Sequence, residues 1–162
     1  MTWKDWGLFI LSAYGAALST VNAFNAFRKE RRLIQVNCGQ KHPIGGYRPA
    51  ADVHAHITAT NIGSRPVTVR ALGLLLPNSK RFVAIQPCQK PGMEDTPLAA
   101  KLSDGETAEA HFAYVDIAST LSNAGYDGRL QLVPFCEDSA GRIHRGRVWD
   151  TSVRELVSYV GK

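Results

Sequence analysis

One stretch limits this chain more than any other. From Trp6 to Phe27 there are 22 consecutive residues without an acid or a base, and Arg28-Lys29-Glu30-Arg31-Arg32 follows at once. As an α-helix rising 1.5 Å per residue, the run would extend about 33 Å. The hydrocarbon core of a bilayer is about 30 Å thick. Lipid offers no hydrogen bonds to a backbone, so a single segment can cross it only as a helix. Trp3, Trp6 and Tyr14 lie toward one end, as suits an interface. Ser19, Thr20, Asn22 and Asn25 weaken the far third without adding a charge.

Three environments compete for this stretch. A cleaved signal peptide would use Lys4 as its basic start and a small-residue site near 13–17 or 21–23. The apolar run outlasts an ordinary signal core and ends in bases. A buried soluble helix is open because only 6–18 is strongly apolar. The length and the basic border favour a transmembrane anchor, with Trp6, Leu8, Phe9, Ile10, Leu11, Leu18, Val21, Phe24 and Phe27 facing lipid. The chain then divides into a transmembrane helix with a basic juxtamembrane segment, 1–32, and a domain, 33–162.

Charge supports that division. Residues 1–32 carry a net +3 and residues 33–162 only +2, so the excess sits beside the apolar run. A nucleic-acid binder would more often carry it as a patch on the folded domain, and no nucleic-acid partner is expected. Arg28, Lys29, Arg31 and Arg32 are expected to meet anionic lipid, and the positive-inside bias predicts an outside N-terminus with 33–162 in the cytoplasm. Cys38, Cys88 and Cys136, odd in number and irregularly spaced, read as reduced thiols.

Ser12, Gly15, Ser19, Asn22 and Ala26 recur at spacings of three and four, which aligns them along one helix side. Small residues permit close helix approach, and Ser or Asn can hydrogen-bond across it. The stripe predicts pairing with another membrane protein or with a second copy.

Beyond residue 32 the pattern alternates. Strands are expected at 33–38, 51–61, 66–77, 81–87, 107–115, 128–138 and 143–150. Val53, Ala55, Ile57 and Ala59 share one face of the second; Asp52, His54, His56, Thr58 and Thr60 share the other. Val67, Val69 and Ala71 are expected to face one way in the third. Loops are expected at 39–50 and 88–97, the latter exposed, with a hairpin turn at Ser103-Asp104-Gly105-Glu106. A short helix is predicted at 116–125, capped by Asp116 and ended by Gly125, and a C-terminal helix at 152–160 with a Ser152…Glu155 capping box. About seven short strands with turn punctuation predict a mainly β, antiparallel immunoglobulin-like β-sandwich. Asn61-Ile62-Gly63-Ser64-Arg65-Pro66-Val67-Thr68-Val69, with Leu72-Gly73-Leu74, and Leu102-Ser103-Asp104-Gly105-Glu106 resemble segments of small uncharacterised bacterial or phage proteins that join an N-terminal anchor to such a sandwich. The resemblance implies a fold and no catalytic residues.

Chemistry-bearing motifs are sparse. His54 and His56 lie two apart on one strand, which could present two imidazoles to Zn²⁺ given a third ligand; Cys38 and His42 form a looser pair. No Gly-x-Ser-x-Gly, phosphate loop, Cys-x-x-Cys or His-Glu-x-x-His is present. Exposed histidines, no metal, no cofactor and no catalytic residue are therefore expected. Arg142, Arg145 and Arg147 with His144 read as a charged edge strand, with anionic lipid as the alternative contact. The predicted function is a non-enzymatic, single-pass, membrane-tethered binding module, its contact surface on loops 39–50 and 87–97; the alternative is an oligomeric membrane effector whose helix self-associates and whose sandwich senses.

Overall fold

A computed structural model describes residues 3–29, 33–42, 53–83 and 87–159. The chain opens with one long helix, α1 (Trp3–Lys29). Its segment Trp6–Phe27, with a mean hydropathy of 1.4 over its most apolar 18-residue window, is long and apolar enough to cross a membrane; none of its described residues is buried. Leu11 is 70% and Phe27 71% exposed.

The remainder is mainly β. Among the described residues there are eleven strands rather than about seven: β1 (Ile34–Lys41), β2 (His54–Asn61), β3 (Val67–Leu75), β4 (Arg81–Val83), β5 (Gln89–Lys90), β6 (Met93–Glu94), β7 (Ala100–Leu102), β8 (Thr107–Ala113), β9 (Arg129–Asp138), β10 (Ile143–Arg145) and β11 (Trp149–Ser152). The surplus comes from short strands, which lack enough alternation to be read from sequence. All pairings are antiparallel. One sheet runs β1-β2-β8; the other runs β10-β9-β3-β4, with β11 also on β9 and β7 also on β3.

Both sheets turn apolar faces to one core. Ala55, Ile57 and Ala59 of β2 and Ala108, Ala110 and Phe112 of β8 supply one side; Val69, Leu72, Leu74, Leu132 and Cys136 supply the other. The period-two pattern of β2 is thus realised as expected. In β3 it is not. The pairing register with β9 shifts between Val69 and Ala71, so the strand turns Leu72 and Leu74 inward and leaves Ala71 only partly buried. A bulge breaks strict alternation in this way.

Two corners hold the sheets together. Ser103–Glu106 makes a tight turn, with the Glu106 amide donating to Ser103 O at 3.1 Å. It is not a hairpin, however: β7 pairs with β3 and β8 with β2, so the turn carries the chain between sheets. Asn61 locks that crossing. Fully buried, its Nδ2 donates to Arg65 O and Leu102 O, and its Oδ1 accepts from the Gly63 amide. At the other corner Gly146 sits against β1. A Cβ added there would lie 2.5 Å from the Val36 carbonyl oxygen, so only glycine permits the approach.

Three helical details refine the sequence reading. α2 (Tyr114–Asn123) begins two residues before Asp116, with Ala113 at the N-cap; Asp116 lies in the first turn, where its charge suits the helix dipole. Tyr114, Ile117, Ala118 and Leu121 form its buried stripe. The helix ends as expected at Gly125, φ +80°, with Gly125 N donating to Ser122 O and Tyr126 N to Leu121 O, a Schellman closure. α3 (Val153–Ser158) carries the expected cap, Ser152 Oγ accepting from the Glu155 amide at 3.2 Å. The expected strand 143–150 is split into β10 and β11 around Gly146, and 33–38 extends through Lys41. Of the expected loop 39–50, residues 43–50 lie outside the described residues.

Candidate functional site

The polar face of the first sheet concentrates the ionisable groups. Because β2 alternates, His54 and His56 point away from the core that Ala55 and Ile57 fill. In β8 the same alternation puts Glu109 and His111 on that face. Strand pairing sets His56 directly beside His111, and Lys41 of β1 opposite His54. The useful neighbour of His56 is therefore the cross-strand His111, not His54 two residues along.

The contacts are close. His56 Nε2 is 2.9 Å from Glu109 Oε2. Lys41 Nζ is 3.3 Å from the same oxygen. The His56 and His111 rings stack with centroids 4.6 Å apart and planes within 6°. His111 Nε2 faces Glu109 Oε2 at 4.0 Å.

His111 is held from behind by the 87–97 segment. That segment is largely exposed, as expected, but it is more than a loop. Met93 is fully buried, and β5 pairs with β6 as a small hairpin. Asp95 and Thr96 then lie along the edge of β8. Thr96 N donates to Glu109 O, Thr96 Oγ1 accepts from Glu109 N, and Asp95 Oδ1 accepts from His111 N. Asp95 Oδ1 also lies 2.9 Å from His111 Nδ1, and Oδ2 accepts from the Cys88 amide. A carboxylate only accepts, so His111 carries its proton on Nδ1 and turns the lone pair of Nε2 toward Glu109.

The electrostatics follow from burial and neighbours. The His111 side chain has no exposed area. Burial, reinforced by the charges of His56 and Lys41, holds its pKa below the ordinary histidine value against the opposing pull of Asp95. Burial alone would raise Glu109, but the His56 hydrogen bond and the charges of His56 and Lys41 outweigh it and hold the carboxyl below its usual value. The geometry thus favours a neutral His111 beside an ionised Glu109.

The sequence expected exposed histidines. His54 is 3% and His111 4% exposed, and the His56 side chain only 21%. For His111 the cover is the docked 87–97 segment, whose lack of periodicity concealed it. Cys38 lies on the opposite, core-packed side of β1, its register partner being Ile57. Burial pushes its thiol up to about 11 and that of Cys136 up to about 12, which leaves both protonated at neutral pH. Cys38 therefore joins neither His56 nor the imagined pair with His42. All three cysteines are free thiols.

A wide cleft of about 800 Å³ lies elsewhere, near Pro77, Tyr126, Arg129, Arg145 and Asp150. It contains charges of both signs, without a histidine or a cysteine. Arg142, Arg145 and Arg147 are exposed along the β10 edge, and His144 is tied to the buried Asp138 at 3.1 Å. In α1 all five stripe residues, Ser12, Gly15, Ser19, Asn22 and Ala26, are helical and exposed. Arg31 and Arg32 lie outside the described residues, as do the side chains of Phe9, Arg28 and Lys29. No family model matches this chain, and no curated protein matches it in sequence.

Proposed function

We propose that the chain is a non-enzymatic, single-pass, membrane-tethered binding module whose β domain works in the cytoplasm. One observation carries the reading. A 22-residue apolar helix stands with none of its described residues buried, while the domain behind it has a complete core of its own. At about 25 cal/mol per Å², leaving Leu8, Ile10, Leu11, Phe24 and Phe27 in water is costly, and lipid removes that cost. The border of four bases supports the cytoplasmic orientation, since positive charge is retained on that side. The same bases suit anionic headgroups. In the domain, two antiparallel sheets around one core support an immunoglobulin-like sandwich, a scaffold that carries recognition on its edges and loops.

A second reading, an oligomeric membrane effector, draws on the exposed stripe of Ser12, Gly15, Ser19, Asn22 and Ala26. Polar contacts between such helices contribute about 0.6–2 kcal/mol each.

Fractionation and protease accessibility test both. The full chain should pellet with membranes, resist carbonate extraction, and expose residues 33–162 to protease only after the membrane is opened from the cytoplasmic side. A freely soluble chain, or a mature N-terminus beyond residue 13, defeats the anchor. Cross-linking in membranes should give a monomer for the tethered module and discrete oligomers for the effector.

A further inference from the structure

We propose that His56, Glu109 and His111 form a binding site for a divalent transition-metal ion, Zn²⁺ in the first instance. The inference stands independently of the membrane reading. Among the described residues these are the only three His, Cys, Asp or Glu side chains whose ligand atoms converge, all within 4.8 Å of one another. Two imidazole nitrogens and one carboxylate oxygen are the donor set that Zn²⁺ takes when it keeps a coordination position open.

The separations suit an ion. A tetrahedral site with metal–ligand distances near 2.1 Å has its ligand atoms about 3.4 Å apart. Here Glu109 Oε2 stands 2.9 Å from one histidine nitrogen and 4.0 Å from the other, so shifts of about half an ångström, with a tilt of one of the stacked rings to bring both nitrogen lone pairs onto the ion, reach that value. His111 supplies the strongest sign. Its Nε2 is a buried nitrogen with no hydrogen-bond partner among the described residues. A buried polar atom left so is unfavourable, and a coordinated cation removes that cost. Behind it, Asp95 on Nδ1 reproduces the carboxylate–histidine–metal relay that fixes tautomer and ring orientation in zinc sites. Asp95 is itself held by two backbone amides, so the relay is rigid.

Three further features concern occupancy. His56 donates Nε2–H to Glu109 and must move that proton to Nδ1 to coordinate, so uptake competes with the existing hydrogen bond. Lys41 stands at the same carboxylate and competes as a cation. Gly39, opposite His56 in register, leaves that flank open: a Cβ there would meet nothing within 4 Å. An ion held by β2 and β8 would also brace the 87–97 segment through Asp95.

The test uses the full chain in detergent, treated with chelator, then titrated with Zn²⁺ against a chromophoric indicator and with Co²⁺ by visible absorption. The expected result is one equivalent bound, with the intense Co²⁺ bands of four-coordinate geometry. His56→Ala and Glu109→Gln should each weaken binding by more than about 100-fold, and Asp95→Asn by about 10–100-fold. His54→Ala should leave it unchanged. Lys41→Gln should tighten it, a gain that misfolding cannot mimic. Absence of stoichiometric uptake by the folded chain overturns the site. So does uptake that survives both His56→Ala and Glu109→Gln, or an affinity that Lys41→Gln fails to raise.

Discussion

Leu11 and Ile57 are nearly equal in size and apolarity, yet Leu11 is 70% exposed in α1 and Ile57 is wholly buried in β2. The difference lies in what each sequence pattern can hide. β2 alternates, so one apolar face meets the core and the other stays polar. α1 is apolar around most of its circumference, and no single contact surface could cover it. A chain that buries Ala55, Ile57, Leu74 and Leu132 completely has no general difficulty in excluding water. It leaves the described residues of α1 bare, as the proposed anchor requires.

Mutations can break this contrast. The largest effect is expected from Ile57→Ala, which should cost about 2–5 kcal/mol of domain stability through the cavity it leaves. Leu11→Ala should change domain stability by less than about 0.5 kcal/mol. Thermal or denaturant unfolding of the full chain in detergent checks both, and a comparable loss at Leu11 would mean that α1 packs on the domain after all.

Next comes Asn61→Ala. It removes a donor pair to Arg65 O and Leu102 O and an acceptor for the Gly63 amide at a buried site, so about 2–3 kcal/mol should be lost. This sharpens the comparison from the other side, since a polar residue then contributes to the core as much as an apolar one does.

A smaller loss within the domain is expected from Asp138→Asn, about 1 kcal/mol at neutral pH. Burial would raise the Asp138 pKa, but the His144 hydrogen bond and the amides of Arg142 and Ala140 outweigh it, and the folded value lies below the ordinary carboxylate range. A folded pKa below the unfolded one stabilises above the unfolded value, and that stability is lost as pH falls through the folded value. The parent should therefore lose stability between mildly acidic pH and the folded value, and the Asn variant should show a flatter acid limb. Unfolding midpoints measured across that pH range decide it.

What sequence revealed here depended on periodicity. β2, β8, the Ser152 cap and the Gly125 stop each rest on spacings within about ten residues, and each was readable. The core face of β3 was misjudged because its bulge is set by pairing with β9, about sixty residues away, which no local pattern encodes. The turn at 103–106 was recognised as a turn, but the partners of the flanking strands are non-local. The His56–Glu109–His111 cluster was half visible. Two residues of β8 meet one of β2 only once the register is known, and the orienting Asp95 came from a segment with no period at all. His54, the histidine that spacing favoured, belongs to no convergent set among the described residues.

Lys29 closes α1 and Ile34 opens β1, so five peptide steps, at most about 17 Å, separate the two. Anchored in a bilayer, such a domain could not sample the cell interior. Its search would be confined to a film one molecule deep, and whatever it meets would have to arrive at the surface or already reside there.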